Sequence, residues 1–245
     1  MPDAPSQHTS YFELRDAFGR GGCPLCGLAA TAAGRYLERL VADSVTDPDT
    51  RIDFAAAHGL CNPHAWQLVD GGSASSIAIL YRSLLNDAMR ALAAGEAARG
   101  EGSGLGWLWR GLTTQAAAPG SARELSPSRT CPACRARDER AAMMAGILLD
   151  HLADADLIDA YRVSDGLCLP HLRLVLGRGT SADTRARLVA LQMGVWQRLD
   201  GELAELIRKF DYRFAREPVG AEADAWMRAV AALAAARGYG VPLPL

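Results

Sequence analysis

The chain has 245 residues, of which 49% are hydrophobic and 22% charged. That length suits one large domain or two small ones, and that composition can bury a core, which excludes a disordered polypeptide. Lys plus Arg total 26 against Asp plus Glu 28 for a net charge of −2, which excludes a general attraction to nucleic acid or an anionic membrane surface.

The first ten residues, MPDAPSQHTS, hold neither a basic n-region nor an apolar h-region, so a cytoplasmic location is expected. No apolar run approaches the roughly 18 residues of a membrane span. In a reducing compartment the six cysteines are not expected to pair as disulfides.

In chain order, the first motif is Cys23-Pro24-Leu25-Cys26. Beyond it, Tyr36, Leu37, Leu40 and Val41 keep the spacing of a buried helical stripe. Asp47-Pro48 has the form of an N-cap followed by proline at the first helical position. Next comes Gly59-Leu60-Cys61-Asn62-Pro63-His64, in which the glycine permits a left-handed turn and Pro63 suits a helix beginning near Cys61. Ile77, Leu80, Leu84, Leu85 and Leu92 then mark one face of a further helix.

Residues 98–130 are rich in Gly, Pro and Ser and read as a linker between a first unit, 1–97, and a second, 131–245. Trp107, Leu108 and Trp109 are unusual in a solvated connector, and either pack back on the domain or form a contact patch. The second unit opens with Cys131-Pro132-Ala133-Cys134, followed by the apolar residues Met144, Ile147, Leu148 and Leu152 and a run around Asp156, Leu157, Ile158 and Tyr161. Gly166-Leu167-Cys168-Leu169-Pro170-His171 follows. Leu188, Leu191, Val195, Leu199, Leu203, Leu206 and Phe210 advance by threes and fours, which predicts a helix of about eight turns. An Ala-rich helix over 221–236, with Trp226, Val230 and Leu233 on one side, is expected to dock on the bundle. No alternating strand pattern occurs.

The order CPxC then GLCxPH occurs twice, with 34 residues between Cys26 and Cys61 and 33 between Cys134 and Cys168. That is the mark of an internal duplication. The expected architecture is therefore an all-α, duplicated helical bundle with pseudo-twofold halves.

A Cys-x-x-Cys pair can grip one metal ion from a tight turn, and a Cys-x-x-His pair completes four ligands. The eight candidate ligands are Cys23, Cys26, Cys61, His64, Cys131, Cys134, Cys168 and His171. Two closed Cys3His sites suit two zinc ions, and four protein ligands leave no open position for a substrate water. Sulfurs at helix N-termini sit against unpaired amides and the positive end of the dipole, which favours the thiolate. Unmetallated core cysteines are one alternative, because a buried free thiol is a common small hydrophobe, and two further rivals stand beside zinc. One is an iron–sulfur cluster with histidine as fourth ligand, and the other an exchanging CxxC dithiol, for which the expected preceding strand is missing. Spacing leaves the pairing open. A helical hairpin returning to its own start favours pairing within each half, and exchange of segments between halves is the alternative.

The remaining titratable candidates are weaker. His58 precedes Cys61 by three residues and Asp165 precedes Gly166, and capping or surface roles suit both. His151 flanks an apolar stripe as a core or boundary residue, and His8 belongs to a tail. Lys209 is the only lysine, which removes a P-loop, and no HExxH or GxSxG motif is present. Whether the chain is catalytic is left open.

The run CPLC, GLCNPHAW, IAILYRSLL, CPAC, SDGLCLPHL, IRKFDYRF and a late AW-x-R-A helix resembles, along nearly the whole chain, a bacterial family of uncharacterised helical proteins. The resemblance implies a soluble duplicated protein and carries no activity or catalytic residue. It draws attention to Arg208, Lys209, Asp211, Tyr212 and Arg213, either a helix terminus stabilised by basic residues or a rim for an anionic ligand or partner. The functional expectation is a metal-binding scaffold or binding module with an unknown protein or small-molecule partner, and no nucleic acid.

Overall fold

The structure, a computed structural model, describes residues 4–42, 47–100, 125–214 and 216–239. Trp107, Leu108 and Trp109, with most of the expected linker, lie outside the described residues. Among the described residues there are ten α-helices and no strand.

After α1 (Ala4–Phe18), the elements α2 (Pro24–Ala42), α3 (Pro48–Ala56), α4 (Asn62–Gly71) and α5 (Ala74–Gly100) are followed by a second series of the same kind. That series is α6 (Pro132–Asp150), α7 (Ala155–Val163), α8 (Leu169–Leu176) and α9 (Ala182–Lys209). The helix lengths run 19, 9, 10 and 27 residues in the first series and 19, 9, 8 and 28 in the second. The duplication read from the motifs is thus also a duplication of helices. A 3-10 turn at Ala221–Asp224 and α10 (Ala225–Ala234) complete the chain.

Local signals account for most helix starts. Asp47 caps α3, its carboxylate accepting from the Asp49 amide at 3.2 Å, with Pro48 in the first turn. Asp154 caps α7 through the Leu157 amide, and Ser181 caps α9 through the Thr184 amide. The α9 stripe buries Leu188, Leu191 and Val195. Leu199, Leu203 and Leu206 are only half-buried, and Phe210, placed on the same stripe by periodicity, is 80% exposed at the helix end.

The chain divides into two compact units that do not coincide with the two series. One comprises residues 1–32 and 137–245, the other 33–136. Helices α2 and α6 therefore each contribute their first turns to one unit and their remainder to the other. In the first unit, Leu14 and Phe18 of α1, Leu25 of α2, Met144 and Leu148 of α6, Leu157 and Tyr161 of α7 and the α9 stripe form one core. In the second, Leu37 and Leu40 of α2, Phe54, Leu68 and Leu80 pack with Cys131, Ala133 and Cys134.

Gly59 and Gly166 take φ of +89° and +64°, the left-handed turn expected before the third cysteine of each motif set. At Gly166 a Cβ would lie 3.0 Å from Gln192 Oε1 and 3.2 Å from Val195. Gln192 cannot move aside cheaply, because the same oxygen accepts from the Leu167 amide at 2.9 Å and from the Tyr161 hydroxyl. Gly166→Ala is expected to cost about 2–3 kcal/mol through strain and crowding together, read as a lowered Tm of the metal-loaded protein.

Two expectations about burial are corrected. α10 docks on the bundle as expected, but its large apolar side chains do not make the contact. Trp226, Val230 and Leu233 are 57–61% exposed, while Ala225 is buried where the helix packs on α8 and α9. On α5, Leu80 is buried and Leu84 half-buried, but Leu85 and Leu92 are exposed. Small alanines let α10 approach its neighbours closely, so the large side chains need not be the docking ones.

Candidate metal centres

Four cysteines occupy the same local position. Cys23, Cys61, Cys131 and Cys168 each immediately precede a helix, and each carbonyl accepts the first i→i+4 bond, from Gly27, Ala65, Arg135 and Leu172 at 2.8–3.2 Å. These are N-cap residues. The second member of every pair, Cys26, His64, Cys134 or His171, sits three residues on. N-cap and third helical residue lie on one side of the first turn, which is why an x-x spacing lets both side chains reach one ion.

The turns combine across the two series. Cys23 and Cys26 meet Cys168 and His171, and Cys131 and Cys134 meet Cys61 and His64. Pairing within each half, the favoured expectation, is therefore overturned. The ligand pairs are exchanged between halves because the first turns of α2 and α6 each belong to the unit that holds the other series' GLCxPH segment.

All eight candidate ligands fall into these two groups, and in each the four ligand atoms lie within 4.8 Å of one another. In the first, His171 Nδ1 is 3.4 Å from Cys23 Sγ, 3.4 Å from Cys26 Sγ and 3.2 Å from Cys168 Sγ, and the Cys26 and Cys168 sulfurs are 3.7 Å apart. In the second, His64 Nδ1 is 3.2, 3.7 and 3.4 Å from the sulfurs of Cys61, Cys131 and Cys134, with 3.5 Å between Cys61 and Cys134. A tetrahedron with metal–sulfur bonds of about 2.3 Å and metal–nitrogen bonds of about 2.0 Å has edges of about 3.8 Å between sulfurs and about 3.5 Å between sulfur and nitrogen. The observed separations fit both, and the sulfurs are too far apart for disulfides of about 2.05 Å. All six cysteines are free thiols.

The electrostatics of the two groups are compatible with a cation. Burial opposes ionisation of Cys23, yet contacts with Cys168, Cys26 and His171 hold its thiol well below the ordinary cysteine range. Cys26 is pushed strongly up by its neighbours Cys168 and Cys23 and then by burial, and Cys168 is pushed up to about 12, first by Cys23. In the second group burial again opposes, but His64 and the amides of Cys61 and Cys134 bring Cys131 down to about 6. In the first group one thiolate is tolerated and the thiols of Cys26 and Cys168 are pushed up, because like charges at this distance exclude each other. A divalent ion would let three thiolates coexist. Three thiolates, a neutral imidazole and a divalent ion sum to −1, and two helix N-termini of roughly half a charge each face every group.

Each unit holds its ligand turns from behind. In the first, Asp165 Oδ2 accepts from the Gly22 amide at 2.6 Å, tying the loop before Cys23 to the loop before Cys168. His171 Nε2 lies 2.7 Å from the Tyr239 hydroxyl, whose phenol burial pushes up. In the second, the Ala56 carbonyl at the end of α3 accepts from the Ser128 and Arg129 amides, fixing the approach to Cys131. Asp53 pairs with Arg135 at 2.6 Å and with Arg129, and the Arg135 guanidinium holds its carboxyl below the usual range.

Its place in the sequence suits Asp165 to capping or a surface role, and its bond to the Gly22 amide is a positioning contact that no spacing announces. Tyr239, Asp53 and Ser128 carry no sequence signal, because the contacts they make, to His171, Arg135 and Ala56, are with residues 68 to 82 positions away. His58 is exposed with φ of +51°, and His151 meets the Tyr11 ring at 4.9 Å in a tilted contact; neither belongs to a ligand group. His8 offers no described side chain.

The polar cluster at the end of α9 is self-satisfied. Arg208 pairs with Glu205 and Glu217, Lys209 with Glu222 and the Pro218 carbonyl, and Arg213 with Asp211. Among the described residues these three cations are paired within α9 and the segment that follows it.

Fold and site thus define an all-helical protein, internally duplicated, with two buried Cys3His groups able to hold one metal ion each. The chain belongs to a family of unknown function, DUF6062, whose sequence profile matches residues 7–238. No curated protein and no solved structure matches it. Among the described residues no helix is long and apolar enough to cross a membrane.

Proposed function

We propose that each Cys3His group holds one zinc ion as a closed structural site, and that the protein acts in a reducing, cytoplasmic setting as a binding or scaffold module. The observation that carries this reading is the convergence of four ligand atoms within 4.8 Å of one another, twice, with both imidazoles turned through Nδ1 towards three sulfurs. Zinc accepts that geometry and that nitrogen–sulfur donor set without a redox role. Four atoms within 4.8 Å suit a single ion, whereas a polynuclear iron–sulfur cluster spreads its ligands around several metal atoms. The rival exchanging dithiol gains no support from sulfurs that all sit in four-ligand groups. The chain residues 1–97 and 131–245 remain the two evolutionary repeats of this reading.

Elemental analysis of protein purified without added metal is expected to find about two zinc equivalents per chain and a colourless solution. Brown protein with broad visible absorption, containing iron and sulfide in place of zinc, would reject the assignment.

A further inference from the structure

After α10 the chain makes a sharp turn that an ordinary helix end does not need. Ala235 has φ of +71° and ψ of 177°, a region that residues other than glycine occupy only when the surroundings force them. Ala235 is nonetheless buried, and it packs with Cys26, Cys168 and Tyr239 in one small cluster. Gly238, with φ of +76°, then turns the chain so that Tyr239 reaches the ring of His171.

Tyr239 is fully engaged there. Its hydroxyl is 2.7 Å from His171 Nε2, and the two rings meet edge to face at 4.8 Å. Its own carbonyl accepts from Arg137 at 2.7 Å, and the same guanidinium lies 5.0 Å from the centre of its ring. Arg137 is almost completely buried, with its Nε on Asp138.

For His171 to ligate through Nδ1, its proton must sit on Nε2, and a buried Nε2–H needs an acceptor. The Tyr239 oxygen is that acceptor. We propose that Tyr239 is a positioning residue of the first metal centre, fixing the tautomer and orientation of His171, so that the segment Ala235–Tyr239 governs how tightly this centre, and not the second, retains its ion. The proposal rests on the reading that the Cys3His groups bind metal. Among the described residues His64 has no corresponding partner on Nε2, which makes the second centre the internal control.

The test follows zinc transfer from the full-length protein to a chromophoric chelator. The two centres are assigned by repeating the measurement in Cys168→Ser and Cys61→Ser backgrounds. Tyr239→Phe keeps the ring, its stacking and its backbone bond to Arg137, and removes only the oxygen. Outer partners of metal-bound histidines typically matter by 10–100-fold, so release from the first centre is expected to quicken at least tenfold while the second is unchanged. In the zinc-loaded variant, nitrogen-15 spectra should show the His171 Nε2–H shifted or exchanging, with the His64 signals unmoved. Tyr212→Phe, at a tyrosine 88% exposed, should leave both rates alone. Equal acceleration at both centres, or none, overturns the proposal. A wild-type chain that takes up no zinc removes the metal reading itself, and this inference with it.

Discussion

A double variant Cys26→Ser/Cys168→Ser is expected to keep about one metal equivalent, whereas Cys26→Ser/Cys61→Ser should keep none. Both remove two of the eight ligands, and only the tertiary connectivity distinguishes them. In the structure Cys26 and Cys168 face the same imidazole, with their sulfurs 3.7 Å apart, so their joint loss disables a single centre. Cys61 lies with Cys131, Cys134 and His64, so pairing its loss with that of Cys26 disables both. Connectivity within each half predicts the reverse. Metal content after exhaustive dialysis decides between them, and one equivalent in the Cys26/Cys61 variant would refute the exchanged arrangement.

Removal of metal by a strong chelator should abolish the cooperative thermal transition while leaving part of the helical circular dichroism. Structural zinc binding in small peptides is worth roughly 10–16 kcal/mol at neutral pH, and a whole domain is stable by only about 5–15 kcal/mol. Losing even part of that term at either centre is therefore comparable with total stability. The ligands are also core residues, since Cys131 and Cys134 pack with Leu37, Leu40 and Phe54, and Cys26 and Cys168 with Ala29 and Ala141. Without the ion, buried thiols held close together would have to stay protonated or separate. Calorimetry before chelation, after it and after zinc is restored gives the answer. An unchanged, equally cooperative Tm in metal-free protein would show that the ions are not structural.

Much of the helical layout was legible because it is signalled locally. Asp47-Pro48, Pro63 and Pro170 announce helix starts through a fixed φ and a dispensable N–H, each acting within about one turn, whereas the helices expected to open at Cys26 and Cys134 begin two residues earlier, at Pro24 and Pro132. Gly59 and Gly166 were legible for the same reason, as positions where a left-handed turn has to precede a ligand. Periodicity was a poorer guide to what each stripe touches. It placed Phe210 on the α9 stripe and gave α10 an apolar side, but burial depends on whether another element lies opposite, and at Phe210, Trp226, Val230 and Leu233 none of the described residues covers them adequately. The alanine side of α10 docks because small residues permit close approach, a preference that hydrophobicity alone does not report.

The letters by themselves placed eight candidate sulfur and imidazole ligands near helix beginnings, in two CPxC and two CxPH pairs, because cap position and x-x spacing are properties of a single turn. They could not determine which turns meet. Separations of 34 and 33 residues allow either connectivity almost equally, and the choice falls to the helices α2 and α6, whose first turns lie in one compact unit and whose remainders lie in the other. The same holds for Tyr239, which stands 68 residues from His171. Its role exists only because packing of α10 and the strained turn at Ala235 bring its hydroxyl to the one ring nitrogen that a metal-bound histidine leaves to be satisfied.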